Sequence, residues 1–169
     1  RLAEVRRVVE QWEAEFASLQ ASDESPTRPE RLCKELTDGL PSDAILMSDT
    51  GHSGIWTSTM IKLNHPDQSY IRCAGSLGWG LSGAIGAKCG APNRPVVLFT
   101  GDGGFWYSIG ELETAVRHGI KPVIVVNDNR ALGQELGGGM RTYGGEPWGD
   151  AMELMMFTDV NLAQVAQAM

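Results

Sequence analysis

The 169-residue chain carries 14 Lys and Arg against 21 Asp and Glu, a formal net charge of −7, with 42% hydrophobic and 21% charged residues. This balance suits one soluble globular domain with an appendage, long enough to bury a core without disulfide or metal staples. It excludes a basic nucleic-acid groove, because no stretch concentrates Lys and Arg, and no apolar run reaches the ~18 residues of a membrane span. The three cysteines, Cys33, Cys73 and Cys89, are odd in number and lack CxxC spacing. They point to a reducing, cytoplasmic setting rather than a disulfide framework or a zinc site. Cys73 and Cys89 read as small buried hydrophobes.

Leu2, Val5, Val8, Val9, Trp12, Phe16 and Leu19 fall at helical spacing and predict an amphipathic helix over residues 1–20. A polar stretch broken by Pro26 follows, so residues 1–26 read as a tail helix and linker from a preceding domain. The opening Arg1, mid-helix and without Met, fits an excerpt of a longer polypeptide. Thr27 with Glu30 three residues later fits a capping box for a short helix to about Gly39. Residues 27–169 then form the main domain.

From Pro41 the pattern alternates. Ala44–Ser48 is a short apolar strand that ends in Ser48-Asp49-Thr50-Gly51-His52-Ser53 and turns into a helix around Trp56–Leu63. Tyr70–Ala74 is a second strand, followed by a helix studded with small residues over Gly75–Ala87. Pro95–Thr100 is a buried strand ended by Gly101-Asp102-Gly103-Gly104. Ser108–His118 is a helix closed by Gly119. Val123–Val126 is a further buried strand ended by Asn127-Asp128-Asn129. Gly133–Gly149 reads as a long glycine-rich loop, and a last helix begins near Asn161. Strands without apolar alternation, separated by helices, predict a doubly wound α/β fold: a parallel sheet with helices on both faces. Its final strand is expected to lie outside this chain.

In such a sheet ligands gather at the carboxyl ends of the strands. Three polar turns occupy those ends, at Asp49–Ser53, Gly101–Gly104 and Asn127–Asn129. A single crossover helix between the second and third brings Asp102 and Asn129 to neighbouring strand ends. A carboxylate, an amide oxygen and a backbone carbonyl form a hard, all-oxygen donor set that suits Mg²⁺ or Ca²⁺. Glycines beside Asp102 let backbone N–H groups approach a phosphate. Together these parts describe a metal–diphosphate clamp.

Gly101-Asp102-Gly103, then Asp128-Asn129, with Asp102 and Asn129 27 residues apart, resembles the cofactor motif of thiamine-diphosphate enzymes of the acetolactate synthase and pyruvate decarboxylase type. Glu111-Leu112 and Pro122 fall where that family often has them. The resemblance covers residues 27–169 and implies the diphosphate-binding domain. It implies Asp102 and Asn129 as Mg²⁺ ligands with the Ala131 carbonyl as a third, and diphosphate contacts from Gly103, Gly104 and the Gly51, His52, Ser53 turn. Gly75 would offer its carbonyl to the aminopyrimidine, and Leu77 would be the apolar residue that bends the cofactor. Asp128 departs from the usual Asn at its position and is expected to face solvent.

The resemblance further implies carbon–carbon bond making or breaking on a small 2-oxo acid, in a homodimer or homotetramer. A pyrimidine-binding domain of the same parent chain, or a second subunit, would supply a catalytic Glu, so this chain alone would be inactive. Flavin (FAD) is compatible with the family, but no residue here indicates it. Glu135 falls where some decarboxylases of the family carry an active-site Glu; Glu135 and His52 are the candidate catalytic residues. A solvated loop carboxylate and a structural histidine are the bland readings of those two. Asp102 and Asn129 singly would be ordinary turn residues. Trp56, Trp79, Trp106 and Trp148 read as core or interface, His118 as a cation at a helix C-terminus and His65 as a surface residue. Acetolactate-synthase-like addition is the leading reading and simple decarboxylation the alternative. From another class stands a non-catalytic cofactor-binding or regulatory module. A nicotinamide dehydrogenase is disfavoured, because no GxGxxG follows the first strand.

Overall fold

A computed structural model describes residues 1–146 and 149–169. In chain order the elements are α1 (Leu2–Gln20), α2 (Pro29–Gly39), β1 (Ile45–Ser48), α3 (His52–Met60), β2 (Ser69–Arg72), α4 (Trp79–Gly90) and β3 (Val96–Gly101). They continue with α5 (Asp102–Tyr107), α6 (Glu111–Arg117), β4 (Val123–Asn127), α7 (Gly133–Thr142), α8 (Ala151–Met155) and α9 (Leu162–Gln167). The four strands form one all-parallel sheet in the order β2-β1-β3-β4. This is the doubly wound α/β arrangement that the uninterrupted apolar strands predict.

The physical basis is two-sided burial. Ile45, Met47, Val96 and Leu98 face one layer with Leu81, Ala84, Ile85, Phe105 and Leu112. Leu46 and Val97 face the other with Leu40 and Ala44, and Phe99 meets Cys33 and Met60 there. Each central strand is therefore apolar on both faces over its first residues, Ile45–Met47 and Val96–Phe99. The chain runs from β1 outward to β2, then crosses over β1 to β3. The strand order reverses between β1 and β3, and the carboxyl ends of those two strands open a crevice.

Several local expectations change. Within this chain β4 is the last strand of the sheet, its residues half-buried apart from Val123, which is 58% exposed. The crossover from β3 to β4 contains two short helices, because α5 begins at Asp102 directly after the strand. The capping box does not form: Arg28 is the N-cap residue, Pro29 opens α2, and no side chain caps it. Buried Glu30 instead lies 3.4 Å from the Arg28 guanidinium. Most of Gly133–Gly149 is not loop. Gly133–Thr142 is helical, closed where the Gly145 N–H donates to the Met140 carbonyl at 2.7 Å.

Gly119 ends α6 as expected, with φ +64°. Its N–H donates to Val116 O (3.1 Å) and that of Ile120 to Ala115 O (2.8 Å), a Schellman closure beside the C-cap residue His118. The Asn161 side chain caps α9 by accepting from the Gln164 N–H. Along α1, Trp12 and Phe16 pack against the Cys33–Met60–Phe99 cluster, while Leu2, Val5, Val8 and Val9 are exposed. Cys33 is the buried cysteine, its thiol pushed up to about 12 by burial and then by the Glu30 charge. Cys73, just beyond β2, is half-buried and Cys89, in the last turn of α4, is exposed, against expectation. Trp56 and Trp79 pack against core clusters, and Trp106 is half-buried. Trp148 lies outside the described residues. No helix among the described residues is long and apolar enough to cross a membrane.

Candidate cofactor site

The crevice at the carboxyl ends of β1, β3 and β4 holds a cavity of about 270 Å³. Its walls are the Thr50–Ser53 turn, Gly75 and Leu77, the Gly101–Gly104 turn, Asn127 and Asn129, and the segment Ala131–Glu135. The structure thus brings together every candidate site residue: Gly51, His52, Ser53, Gly75, Leu77, Asp102, Gly103, Gly104, Asn129, Ala131 and Glu135. These come from five separate stretches of chain. The parallel register explains the heart of the arrangement. Gly101 pairs with Asn127, so the residues just beyond each strand end face one another.

Asp102 is 4% exposed. Its Oδ1 accepts from the Gly103 N–H at 2.8 Å and its Oδ2 from the Ala131 N–H at 2.9 Å. Burial pushes the carboxyl up from its ordinary 3.8 to about 6. A hydrogen bond and negative charge from Asp128 push the same way, and the two backbone N–H donors oppose them. Asp128 is exposed, as expected, yet its carboxylate still acts on Asp102. Asp128 Oδ1 accepts from the Arg130 N–H at 2.8 Å. Arg130 adopts a left-handed φ of +56°, a strained state for a residue with a side chain. It is braced by Phe157 N–H to its carbonyl (2.7 Å) and by an ion pair with Asp159 (3.2 Å). That strained turn holds Asn129 and Ala131 on either side of it toward Asp102, with Asn129 Oδ1 accepting from the Ala131 N–H at 3.2 Å.

A hard cation fits this donor set. Asp102 supplies a buried carboxylate and Asn129 an amide oxygen, and the Ala131 carbonyl accepts no hydrogen bond among the described residues. Among the described residues no cluster of three His, Cys, Asp or Glu side chains exists, so a soft or zinc-type site is not built here. The glycines beside Asp102 are pressed closely: a Cβ on Gly103 would lie 2.7 Å from Leu132, and one on Gly104 2.6 Å from Asp49 Oδ2. His52 and Glu135 are exposed, both on the cavity wall. Sequence reasoning passed over Thr50, Leu132 and Gln134 as wall residues. Thr50 Oγ1 accepts from the Gly75 N–H at 3.3 Å, joining two walls across 25 residues. A contact of that range has no local signal.

With this geometry in hand, comparison with known proteins is decisive. The family profile described as "Thiamine pyrophosphate enzyme, C-terminal TPP binding domain" matches residues 49–169. The chain belongs to the thiamine-pyrophosphate enzyme family. It is similar to the "Probable acetolactate synthase large subunit" of Methanococcus aeolicus, at 32% identity over 74% of this chain and 23% of that protein. It is also similar to the "Sulfoacetaldehyde acetyltransferase" of Alcaligenes xylosoxydans xylosoxydans, at 30% identity over 82% of this chain and 23% of that protein. The "Acetolactate synthase isozyme 2 large subunit" of Escherichia coli (strain K12) is 36% identical over 60% of this chain and 19% of that protein. The chain therefore spans about a quarter of the length of these relatives. The matched region begins at Asp49, the first residue after β1, and contains the whole cavity wall.

Proposed function

We propose that this domain holds thiamine diphosphate through Mg²⁺ and serves acetolactate-synthase-like carbon–carbon bond formation from a small 2-oxo acid. The observation that carries this reading is the convergence of Asp102, Asn129 and Ala131 on one cavity shared with Gly103 and Gly104. Asp102, Asn129 and Ala131 would hold the metal, and the Gly51–Ser53 and Gly103–Gly104 backbones would hold the diphosphate. Gly75 and Leu77 would receive the pyrimidine and the bend of the cofactor. When bound, thiamine diphosphate supplies a carbon nucleophile and an electron sink beside a carbonyl. The chain's own contribution is to bind, orient and partly enclose it. His52 and Glu135 stand on the wall where they could contact diphosphate or substrate.

The names of the relatives, synthases and an acetyltransferase, favour transfer of a carbon unit to an acceptor. Glu135 on the cavity wall is the observation that favours simple decarboxylation as the second reading. In either case a pyrimidine-binding domain, from the same polypeptide or a second subunit of a dimer or tetramer, would complete the site, so this chain alone would turn nothing over. A non-catalytic binding module is the outcome if no such domain joins it.

Thermal unfolding of the full-length protein tests the reading, with thiamine diphosphate, with and without Mg²⁺, and with a chelator. Ligand at ~100 times its dissociation constant adds about 2.7 kcal/mol, a rise of several degrees. The rise should need both cofactor and metal and should vanish in Asp102→Ala. No rise in the wild-type protein, or an undiminished rise in the variant, removes the clamp.

A further inference from the structure

Asp49 is 1% exposed, and no cation pairs with it among the described residues. A buried carboxylate in that position must be satisfied by hydrogen-bond donors, and four meet it. Oδ1 accepts from the N–H groups of Thr50 (2.7 Å) and Gly78 (3.1 Å). Oδ2 accepts from the Gly80 N–H (3.2 Å) and the Thr100 hydroxyl (3.2 Å). These donors belong to three walls of the cavity: the turn after β1, the turn into α4, and the end of β3. The carboxylate also sets what the neighbouring positions tolerate. A Cβ on Gly80 would lie 2.9 Å from Oδ2, and one on Gly104 2.6 Å. Two glycines in two distant motifs are thus required by one side chain. Gly78 itself has φ +88°, the left-handed state that only glycine adopts cheaply, and this conformation turns its N–H onto Oδ1.

We propose that Asp49 is a positioning residue that sets the distance between the Gly75–Leu77 turn and the metal–diphosphate clamp, and so fits the site to the whole cofactor rather than to its diphosphate alone. The assignment rests on the function proposed above. The bridging of two cavity walls by one buried carboxylate carries it. Gly78 and Gly80 donate from the entry to α4, and Thr50 and Thr100 from beside the diphosphate turns, so one carboxylate bridges the two sides; the Gly75–Gly78 turn is also held by Thr50 Oγ1 to the Gly75 N–H and by the Ser108 hydroxyl to the Gly78 carbonyl. The clamp meets Asp49 at Gly104 and at Thr100, but it also has its own fixing, through Asp102 to Gly103 and Ala131. Loosening Asp49 should therefore release the pyrimidine side and leave the clamp in place.

The test compares two ligands by calorimetric titration on the full-length protein: thiamine diphosphate with Mg²⁺, and inorganic pyrophosphate with Mg²⁺. Asp49→Asn keeps the shape of the side chain. An amide nitrogen at the Oδ2 position can donate to Thr100 Oγ1, whose proton can turn to the Gly101 carbonyl 3.2 Å away, so chiefly the Gly80 bond is lost. The expected result is about tenfold weaker thiamine diphosphate binding, about 1.4 kcal/mol, with pyrophosphate affinity changed less than about twofold. Thr100→Val, which removes one donor and leaves the carboxylate, should weaken thiamine diphosphate selectively by a smaller factor. If Asp49→Asn does not fold, Thr100→Val decides by the same criterion. Equal weakening of both ligands, the signature of a merely structural role, overturns the assignment, as does no change in either. A wild-type protein that binds neither ligand overturns the function on which the assignment rests.

Discussion

Two stretches of this chain are equally rich in glycine and use it in opposite ways. Residues 75–90 contain six glycines and residues 133–149 seven. In the first stretch Gly78 and Gly80 make room. A Cβ on Gly80 would meet Leu98 Cδ1 at 2.8 Å, and one on Gly78 would meet Tyr107 Cβ at 2.5 Å. Leu81, Ala84 and Ile85 of α4 are buried against β1 and β3 in consequence. In the second stretch Gly138 and Gly139 have nothing within 4 Å, and no residue of α7 is buried. Glycine there makes no room for a neighbour and only weakens the helix, by ~1 kcal/mol per residue relative to alanine. The tight packing stops at Gly133, where a Cβ would lie 2.6 Å from Asn129 Nδ2. The cavity is therefore bounded by the Gly75–Leu77 turn that leads into the closely packed α4 and by a weak helix whose first turn carries Gln134 and Glu135.

The largest effect that could break this comparison is at Gly80. Helix propensity alone predicts that Gly80→Ala stabilises α4 by ~1 kcal/mol. Overpacking against Leu98 and Asp49 predicts a net loss of about 2–3 kcal/mol. Urea denaturation decides by sign, and a gain would mean that α4 can move off the sheet and is no more rigid than α7.

A smaller effect probes the junction between the two regions, where the Asp102 carboxylate accepts from the Ala131 N–H just ahead of α7. The folded carboxyl holds its proton up to about 6 rather than the ordinary 3.8. Between those values the folded state binds more protons than the unfolded one, so stability falls as pH rises through this window and levels above it. In chelator, wild-type urea midpoints should drop from pH ~4 to ~6 more steeply than those of Asp102→Asn. Because Asn turns a donor toward one of the two backbone N–H groups that the carboxylate accepts, the pH slope and not the absolute stability is the readout. Parallel pH profiles would show that the metal-free junction carries no such burden.

The sheet, its helical cover and the cavity wall were legible in the sequence because each depends on short patterns. Uninterrupted apolar runs such as Val96–Phe99 report two-sided burial, and the polar turns that end them fall at strand termini whatever the strand order. Where strand order matters, the sequence is silent. The apolar run of β4 looks like that of β3, yet within this chain β3 is flanked on both sides and β4 on one. Asp49 reads as one more polar turn residue, because its role arises only when residues 49, 78, 80 and 100 meet around one point. α7 was hidden for a different reason. Its glycines argue against a helix on propensity, and the bond from Gly145 to Met140 that closes it has no separate signature amid so many glycines.

The smallest effect is the one that bears on function. Gly138 has open space around it, so Gly138→Ala meets no clash and should stabilise α7 locally by about 0.5–1 kcal/mol. Amide hydrogen exchange across residues 133–146 should slow by about two- to fivefold, with little change elsewhere, because α7 opens without the sheet. The same amides in the wild-type protein should slow when thiamine diphosphate and Mg²⁺ are added, since Gln134 and Glu135 sit on the wall that the cofactor would face. If the alanine variant and the added cofactor protect the same amides, α7 is an element ordered by its ligand, and the variant removes part of that ordering cost in advance. If the alanine protects α7 and the cofactor does not, the weakness of the helix serves no binding event, and the walls outside α7 shape the site.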